Sequence, residues 1–161
     1  MKVTGADKTL GPKLSLDELR EAAYEMRAFD LIDIFAAGSG HPGGTLSIMD
    51  VVAALYLNVL NHNPRDPLWP DRDRVFFSAG HKAPALYIGL AKSGYFPLED
   101  TVLLRQLGSG FEGHPNWLKV PGVEVSSGSL GQGLGIAVGN ALAGKLLGRP
   151  YRVYCIMGDG E

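Results

Sequence analysis

Two short apolar runs, Arg74 to Ser78 (RVFFS) and Tyr151 to Met157 (YRVYCIM), alternate with stretches of helical periodicity along this chain. Apolar runs of that length, bounded by turn signals, read as strands. Helices alternating with such strands predict an α/β fold with a mostly parallel sheet flanked by helices. In sheets of that kind ligands bind beyond the carboxyl ends of the strands, so the residues following each apolar run are the first place to look for a site.

The helical stretches are marked by their ends. Ser15-Leu16-Asp17-Glu18 has the S-x-x-E form of a capping box and predicts a helix over 16–37, closed by Gly38-Ser39-Gly40. Ile48, Val51, Val52, Leu55, Tyr56 and Val59 define one apolar face of a second helix, for which Ser47 is a candidate cap. The prolines and charges of 61–73 predict a surface loop, with His62 a solvated turn residue. Helices are expected over 82–93, over 98–106 with Glu99 and Asp100 in its first turn, and over 130–147, stopped by Gly148 and Pro150. Residues 1–14 read as an N-terminal arm, and 15–161 as one domain.

Three of the four histidines follow a glycine: Gly40-His41-Pro42, Gly80-His81-Lys82 and Gly113-His114-Pro115. Glycine permits a sharp bend or a close approach to a ligand, and all three lie in loops or at a helix entry, where site residues concentrate. Their separations of 40 and 33 residues lack the close ligand pair typical of zinc sites. Gly131, Gly135, Gly139 and Ala143 recur at i, i+4 along the last helix. A mid-helix glycine costs roughly 1 kcal/mol relative to alanine, so the repeat predicts something packed closely against that face. The chain finishes on Gly158-Asp159-Gly160-Glu161, directly after the last apolar run. A carboxylate there suits Mg²⁺, a hard cation that bridges to phosphates, and flanking glycines let backbone N–H groups approach an anion.

Composition narrows the class. Apolar residues make up 45% and charged residues 20% of the 161, which fits a chain that folds around a core. A net charge of -2 gives no basic excess for nucleic acid and no polybasic membrane anchor. The single cysteine, Cys155, excludes an internal disulfide framework and reads as a small buried hydrophobe. Neither a signal-peptide pattern nor an apolar stretch long enough to span a bilayer is visible, so a cytoplasmic location is expected.

Taken in order, GSGHPGG (38–44), AGHKAP (79–84), GHP (113–115), GSLGQG (128–133) and GDGE (158–161) resemble the N-terminal part of transketolase, a thiamine diphosphate enzyme. The form of these motifs is most similar to transketolases built from two separate subunits. The resemblance implies a thiamine diphosphate-binding fold and transfer of a two-carbon ketol unit from a ketose phosphate to an aldose phosphate. It implies that Asp159 ligates a divalent ion, Mg²⁺ or else Ca²⁺ or Mn²⁺. Gly160 would contact the diphosphate through its backbone, and His81 would lie beside the phosphate end of the cofactor. Gly128, Ser129 and Leu130 would pass along its rings, with Ser129 standing where the family usually has proline. His41 and His114 would face the hydroxyls of the donor sugar and move protons.

The family's metal motif continues past GDG to an asparagine, and a glutamate that activates the cofactor belongs to a later domain. Neither is in these 161 residues. The expectation is therefore an N-terminal portion cut within its metal motif and inactive without the C-terminal subunit or chain remainder. A homo-oligomer is expected as well. The alternatives are another thiamine diphosphate enzyme, of the deoxyxylulose-phosphate synthase or dehydrogenase E1 type, and a non-catalytic truncated module. GHPGG and GSLGQG favour transketolase.

Overall fold

A computed structural model describes residues 13–161, so most of the expected N-terminal arm lies outside the described residues. Helix α1 (Leu16–Ala37) starts on the capping box that the sequence announces. Ser15 Oγ accepts from the Glu18 N–H at 3.3 Å, and the Ser15 N–H donates to Glu18 Oε2 at 2.7 Å. At the other end Gly38 takes φ +63°, the left-handed conformation that terminates a helix, and its N–H reaches the Phe35 carbonyl.

A short helix that the sequence reading did not separate, α2 (Pro42–Leu46), follows at once. Proline at its first position costs no hydrogen bond, because that N–H would be unpaired anyway. Ser47 does not cap the next helix: its Oγ donates backward to the Gly44 carbonyl, 2.9 Å away. Helix α3 (Met49–Ala54) then runs into a wider π-helical turn over Leu55–Val59.

The core lies between α1, α3 and α4 (Ala83–Lys92). Met26, Met49, Val52, Tyr56, Leu86 and Leu90 are each no more than 4% exposed. Each such side chain contributes roughly 1.5–3 kcal/mol through burial. Helix α4 is buried on every side from Ala83 to Ala91, so its sequence is apolar all round rather than striped. Gly89 is why α3 can lie so close to it, since a Cβ there would sit 2.5 Å from Val52.

Strand β1 (Arg74–Phe77) pairs in parallel with β2 (Val153–Ile156), Arg74 opposite Val153 and Phe77 opposite Ile156. Among the described residues the sheet has these two strands, with helix α5 (Gln132–Leu146) packed on it. The pairing continues one step further, because the Ser78 N–H donates to the Ile156 carbonyl at 2.9 Å. Both strands therefore deliver their following residues, Ser78–His81 and Gly158–Glu161, to the same end of the molecule.

The structure corrects four local expectations. His62 is 6% exposed, not solvated: its Nε2 lies 2.9 Å from the Tyr56 carbonyl, and its ring stacks on Tyr95. The 61–73 segment is partly interior too, with Arg72 and Arg74 both bonded to Glu124 and Asp73 accepting from the N–H groups of Asn61 and Arg152. Residues 98–103 wind as a tighter 3₁₀ turn rather than an α-helix, and Cys155 is half-buried.

Within this chain the glycine stripe of α5 has no close neighbour at its middle members. A Cβ added at Gly135 or Gly139 would meet nothing within 4 Å, so that face is open among the described residues. Close packing falls on Gly133 and Gly144 instead, where a Cβ would lie 2.5 Å from Ser78 and 2.7 Å from the Tyr151 ring.

Candidate functional site

The three glycine-led histidines, scattered across the sequence, come together. The His41 ring lies 5.5 Å from that of His81 and 6.3 Å from that of His114, centre to centre. Three separate devices bring them there. His41 occupies the entry to α2, immediately after the Gly38–Gly40 stop of α1. His81 sits in the 3₁₀ turn Gly80–Lys82 between β1 and α4, at the carboxyl end of the sheet. His114 lies in an irregular loop that the Tyr87 hydroxyl ties to the core, donating to the carbonyls of Glu112 (2.9 Å) and His114 (3.3 Å).

The glycines of the motifs make this convergence possible. A Cβ at Gly44 would come within 3.3 Å of the His81 ring. Gly128 takes φ +153° and backs onto His114, and a Cβ at Gly80 would lie 2.7 Å from the Gly128 nitrogen. The strand-end turn thus packs backbone against backbone on the segment leading to α5, which in turn backs onto the His114 side chain. Gly128, Ser129 and Leu130 are exposed along this seam.

A second cluster holds the carboxyl ends of β1 and β2 together. Glu161 Oε1 accepts from Ser78 Oγ at 2.7 Å and from the Gly131 N–H at 2.8 Å, while Oε2 accepts from the Gly158 N–H. Ser78 Oγ in turn accepts from the Gly133 N–H at 3.2 Å. The first donors of α5 are therefore satisfied by a carboxylate and a hydroxyl, the polarity a helix N-terminus favours. Burial alone would raise the Glu161 pKa, but the bonds from Ser78, Gly131 and Gly158 and the neighbouring His81 hold it below the usual value.

Held by this clasp, Asp159 and Gly160 project on the exposed turn after β2. Among the described residues the Asp159 carboxylate makes no hydrogen bond, and no cluster of three histidine, cysteine or acidic groups forms a metal cage.

Two contributors were not singled out from sequence. Glu161 was read only as the end of a motif, and its partners lie up to 83 residues away. Arg105 was unmarked: it is the one non-glycine residue with positive φ (+58°) among the described residues, and its guanidinium reaches Ser39 and His41. His41 has its pKa pushed below the ordinary histidine value by loss of part of its water shell, then by the charges of Arg105, His81 and His114. No helix among the described residues is long and apolar enough to cross a membrane.

Known proteins share the sequence family and the fold of this chain. Residues 19–161 match the family described as transketolase, thiamine diphosphate binding domain. The chain is 43% identical over 144 residues to the 6-deoxy-6-sulfo-D-fructose transketolase subunit SqwG of Clostridium sp. (strain MSTE9), covering 89% of this chain and 52% of that one. It is 40% identical over 147 residues to the transketolase of Homo sapiens, covering 91% of this chain and 23% of the human protein. Among solved structures, transketolase from Leishmania mexicana superposes with a TM-score of 0.84 at 36% identity, over 88% of this chain and 23% of that one. The Pichia stipitis transketolase in complex with sedoheptulose 7-phosphate gives 0.84 at 37%, over 88% and 22%. The chain thus spans about half the length of the bacterial subunit and under a quarter of the longer transketolases. With the family match covering all but the first 18 residues and the fold shared with solved transketolases, this chain belongs to the transketolase thiamine diphosphate binding domain family.

Proposed function

We propose that this chain supplies the diphosphate-binding and ketol-facing half of a transketolase site, and that with the remaining transketolase regions it transfers a two-carbon ketol unit between sugar phosphates. The observation that carries the reading is the convergence of His41, His81 and His114 beside the Gly158–Gly160 turn at the carboxyl end of a parallel sheet. Family membership and the relatives named above support it.

The residues fit thiamine diphosphate and its metal in two respects. Gly128, Ser129 and Leu130 are exposed beside the Gly80 turn, open to a flat ring system laid along them. Asp159 offers an exposed carboxylate that no neighbour has claimed among the described residues, the hard oxygen donor that Mg²⁺ prefers. When bound, thiamine diphosphate supplies the electron sink for carbanion chemistry.

In this reading each residue has its own task. Asp159 holds the divalent ion, and the Gly160 backbone contacts the diphosphate. His81 stands at the phosphate end, and Gly128, Ser129 and Leu130 flank the rings. His41 and His114 face the donor's hydroxyls, where imidazole can hold or pass a proton near neutral pH. Binding this chain to a second copy or to a complementary subunit would complete the site.

Calorimetric titration of thiamine diphosphate with Mg²⁺ into the chain, repeated with Asp159→Ala, tests the binding part. Saturable, metal-dependent heat that the variant loses is the expected result, and heat unchanged in Asp159→Ala would sink the assignment. Ketol transfer is then assayed with the chain alone and with a complementary transketolase subunit added. Turnover is expected only in the mixture. Using fructose 6-phosphate and 6-deoxy-6-sulfofructose in parallel identifies the anionic end of the donor.

A further inference from the structure

We propose that Arg105 is a positioning residue that locks His41 in the neutral tautomer carrying its proton on Nε2. The guanidinium has five N–H donors, no acceptor, and stays charged at any ordinary pH. Its Nη2 lies 3.3 Å from His41 Nδ1, and its Nη1 lies 3.2 Å from Ser39 Oγ. A donor facing Nδ1 requires a lone pair there. A proton on Nδ1 would set one N–H against another, and a doubly protonated ring would add cation to cation. The only nitrogen of His41 left to carry the proton is Nε2.

The fold builds this contact deliberately. Arg105 follows the 3₁₀ turn Leu98–Leu103, and its left-handed φ of +58° is an uncommon conformation for a side chain-bearing residue. Its own N–H donates to the Phe111 carbonyl at 2.8 Å, closing the 105–111 loop beneath it. The guanidinium then lies over Gly113, where a Cβ would come 2.7 Å from Nε and 2.9 Å from Cζ. The glycine that precedes His114 is thus the space Arg105 occupies, which gives that glycine a reason within the motif. The other arm of the fork fixes Ser39, two residues before His41, so both the backbone approach and the ring are held by one side chain.

The consequence separates two histidines that the sequence treats alike. With Nδ1 engaged, His41 presents an N–H donor and no free lone pair, so it serves as hydrogen-bond donor to a substrate oxygen. A base in this cluster has to be sought at His114 or His81. The use of that donor in ketol transfer rests on the function proposed above, whereas the tautomer itself does not.

Histidine-labelled full chain, free of cofactor, is examined by long-range ¹H–¹⁵N correlation, with His41 assigned by its loss in His41→Gln. The expected pattern is Nε2–H at neutral pH, with a titration midpoint below ordinary histidine; the groups facing it are Arg105, His81 and His114. In Arg105→Met the midpoint should rise and the tautomer should become mixed. In Arg105→Lys, which keeps charge but not the fork, the midpoint should fall between the two. The resonances of His62, buried against Tyr56 and Tyr95, report whether a variant keeps its fold. Nδ1–H in the wild type overturns the proposal, whatever the variants do. So does an unchanged His41 tautomer and midpoint in Arg105→Met with His62 unmoved. Failure of thiamine diphosphate binding would leave this result standing, so the two readings fail separately.

Discussion

Asp30 and Asp33 lie one turn apart on the inner side of α1, 0% and 2% exposed. Both Asp30 oxygens and Oδ1 of Asp33 lack a hydrogen-bond partner among the described residues. On the packed elements Arg27 is engaged with Asp50 of α3, and Lys92 of α4 with Glu25. Burial, then the charge of Asp33, pushes the Asp30 pKa up to about 7, and burial pushes Asp33 up to about 6. A carboxyl whose folded pKa is raised binds its proton more tightly in the folded state. The stability these two groups contribute is therefore greatest at the acid end and falls as pH rises from about 4, the unfolded value, through about 7. Asp30→Asn removes one of these ionisations. Urea denaturation should show the variant losing less stability than wild type between pH 5 and pH 8, with the slope eased by about 1–3 kcal/mol over that span. Parallel profiles for the two proteins would mean that Asp30 ionises freely in the folded chain.

Elements were legible in the sequence where local chemistry decides them. The bounds of α1 follow from Ser15, Glu18 and Gly38, all of which act on neighbours within one turn. Both strands were visible because apolar runs of their length have few alternatives. What escaped was set by distant partners. Residues 98–103 have a helical composition but follow Pro97 in a short segment packed on α1 and α4, and they tighten to 3₁₀. The convergence of three histidines was signalled by their repeated glycines and by the family resemblance of their motifs, whereas the clasp of Glu161 on Gly131 and Ser78 left no trace in local pattern. The glycines of α5 show the difference most directly, because within this chain close packing falls on Gly133 and Gly144, which lie outside the i, i+4 row. Gly135→Ala and Gly139→Ala, with open space around them, should each stabilise the chain by about 1 kcal/mol through helix propensity. Gly133→Ala should destabilise it, because the new Cβ would sit 2.5 Å from Ser78. Melting temperatures of the three variants should thus move in opposite directions, and a fall for Gly135→Ala or Gly139→Ala would mean that this face is covered in solution.

At the scale of the whole molecule, the site is assembled from parts that hold the chain's two halves together. Ser78 follows β1, Gly131 and Gly133 open α5, and Gly158 and Glu161 follow β2, yet one carboxylate and one hydroxyl bind them all. On the other side His81 lies near that clasp and packs against His41, whose ring also faces His114. A ligand seated across the Asp159 turn and the Gly128 seam would contact segments that separate when the chain unfolds. It should therefore stabilise the global fold, not only a loop. Under the proposed function, thiamine diphosphate with Mg²⁺ at a hundred times its dissociation constant should raise unfolding free energy by about 2.7 kcal/mol. The same addition without the divalent ion should do much less, because two anionic groups, the diphosphate and Asp159, would then face each other unbridged. Asp159 is exposed and its carboxylate makes no hydrogen bond among the described residues, so Asp159→Ala should leave the unliganded melting temperature within a degree or so of wild type while abolishing the ligand-induced rise. Thermal melts of both proteins with cofactor alone, metal alone and the two together decide it. A rise that survives Asp159→Ala would place the diphosphate elsewhere, while a lowered melting point in the unliganded variant would make Asp159 a structural residue.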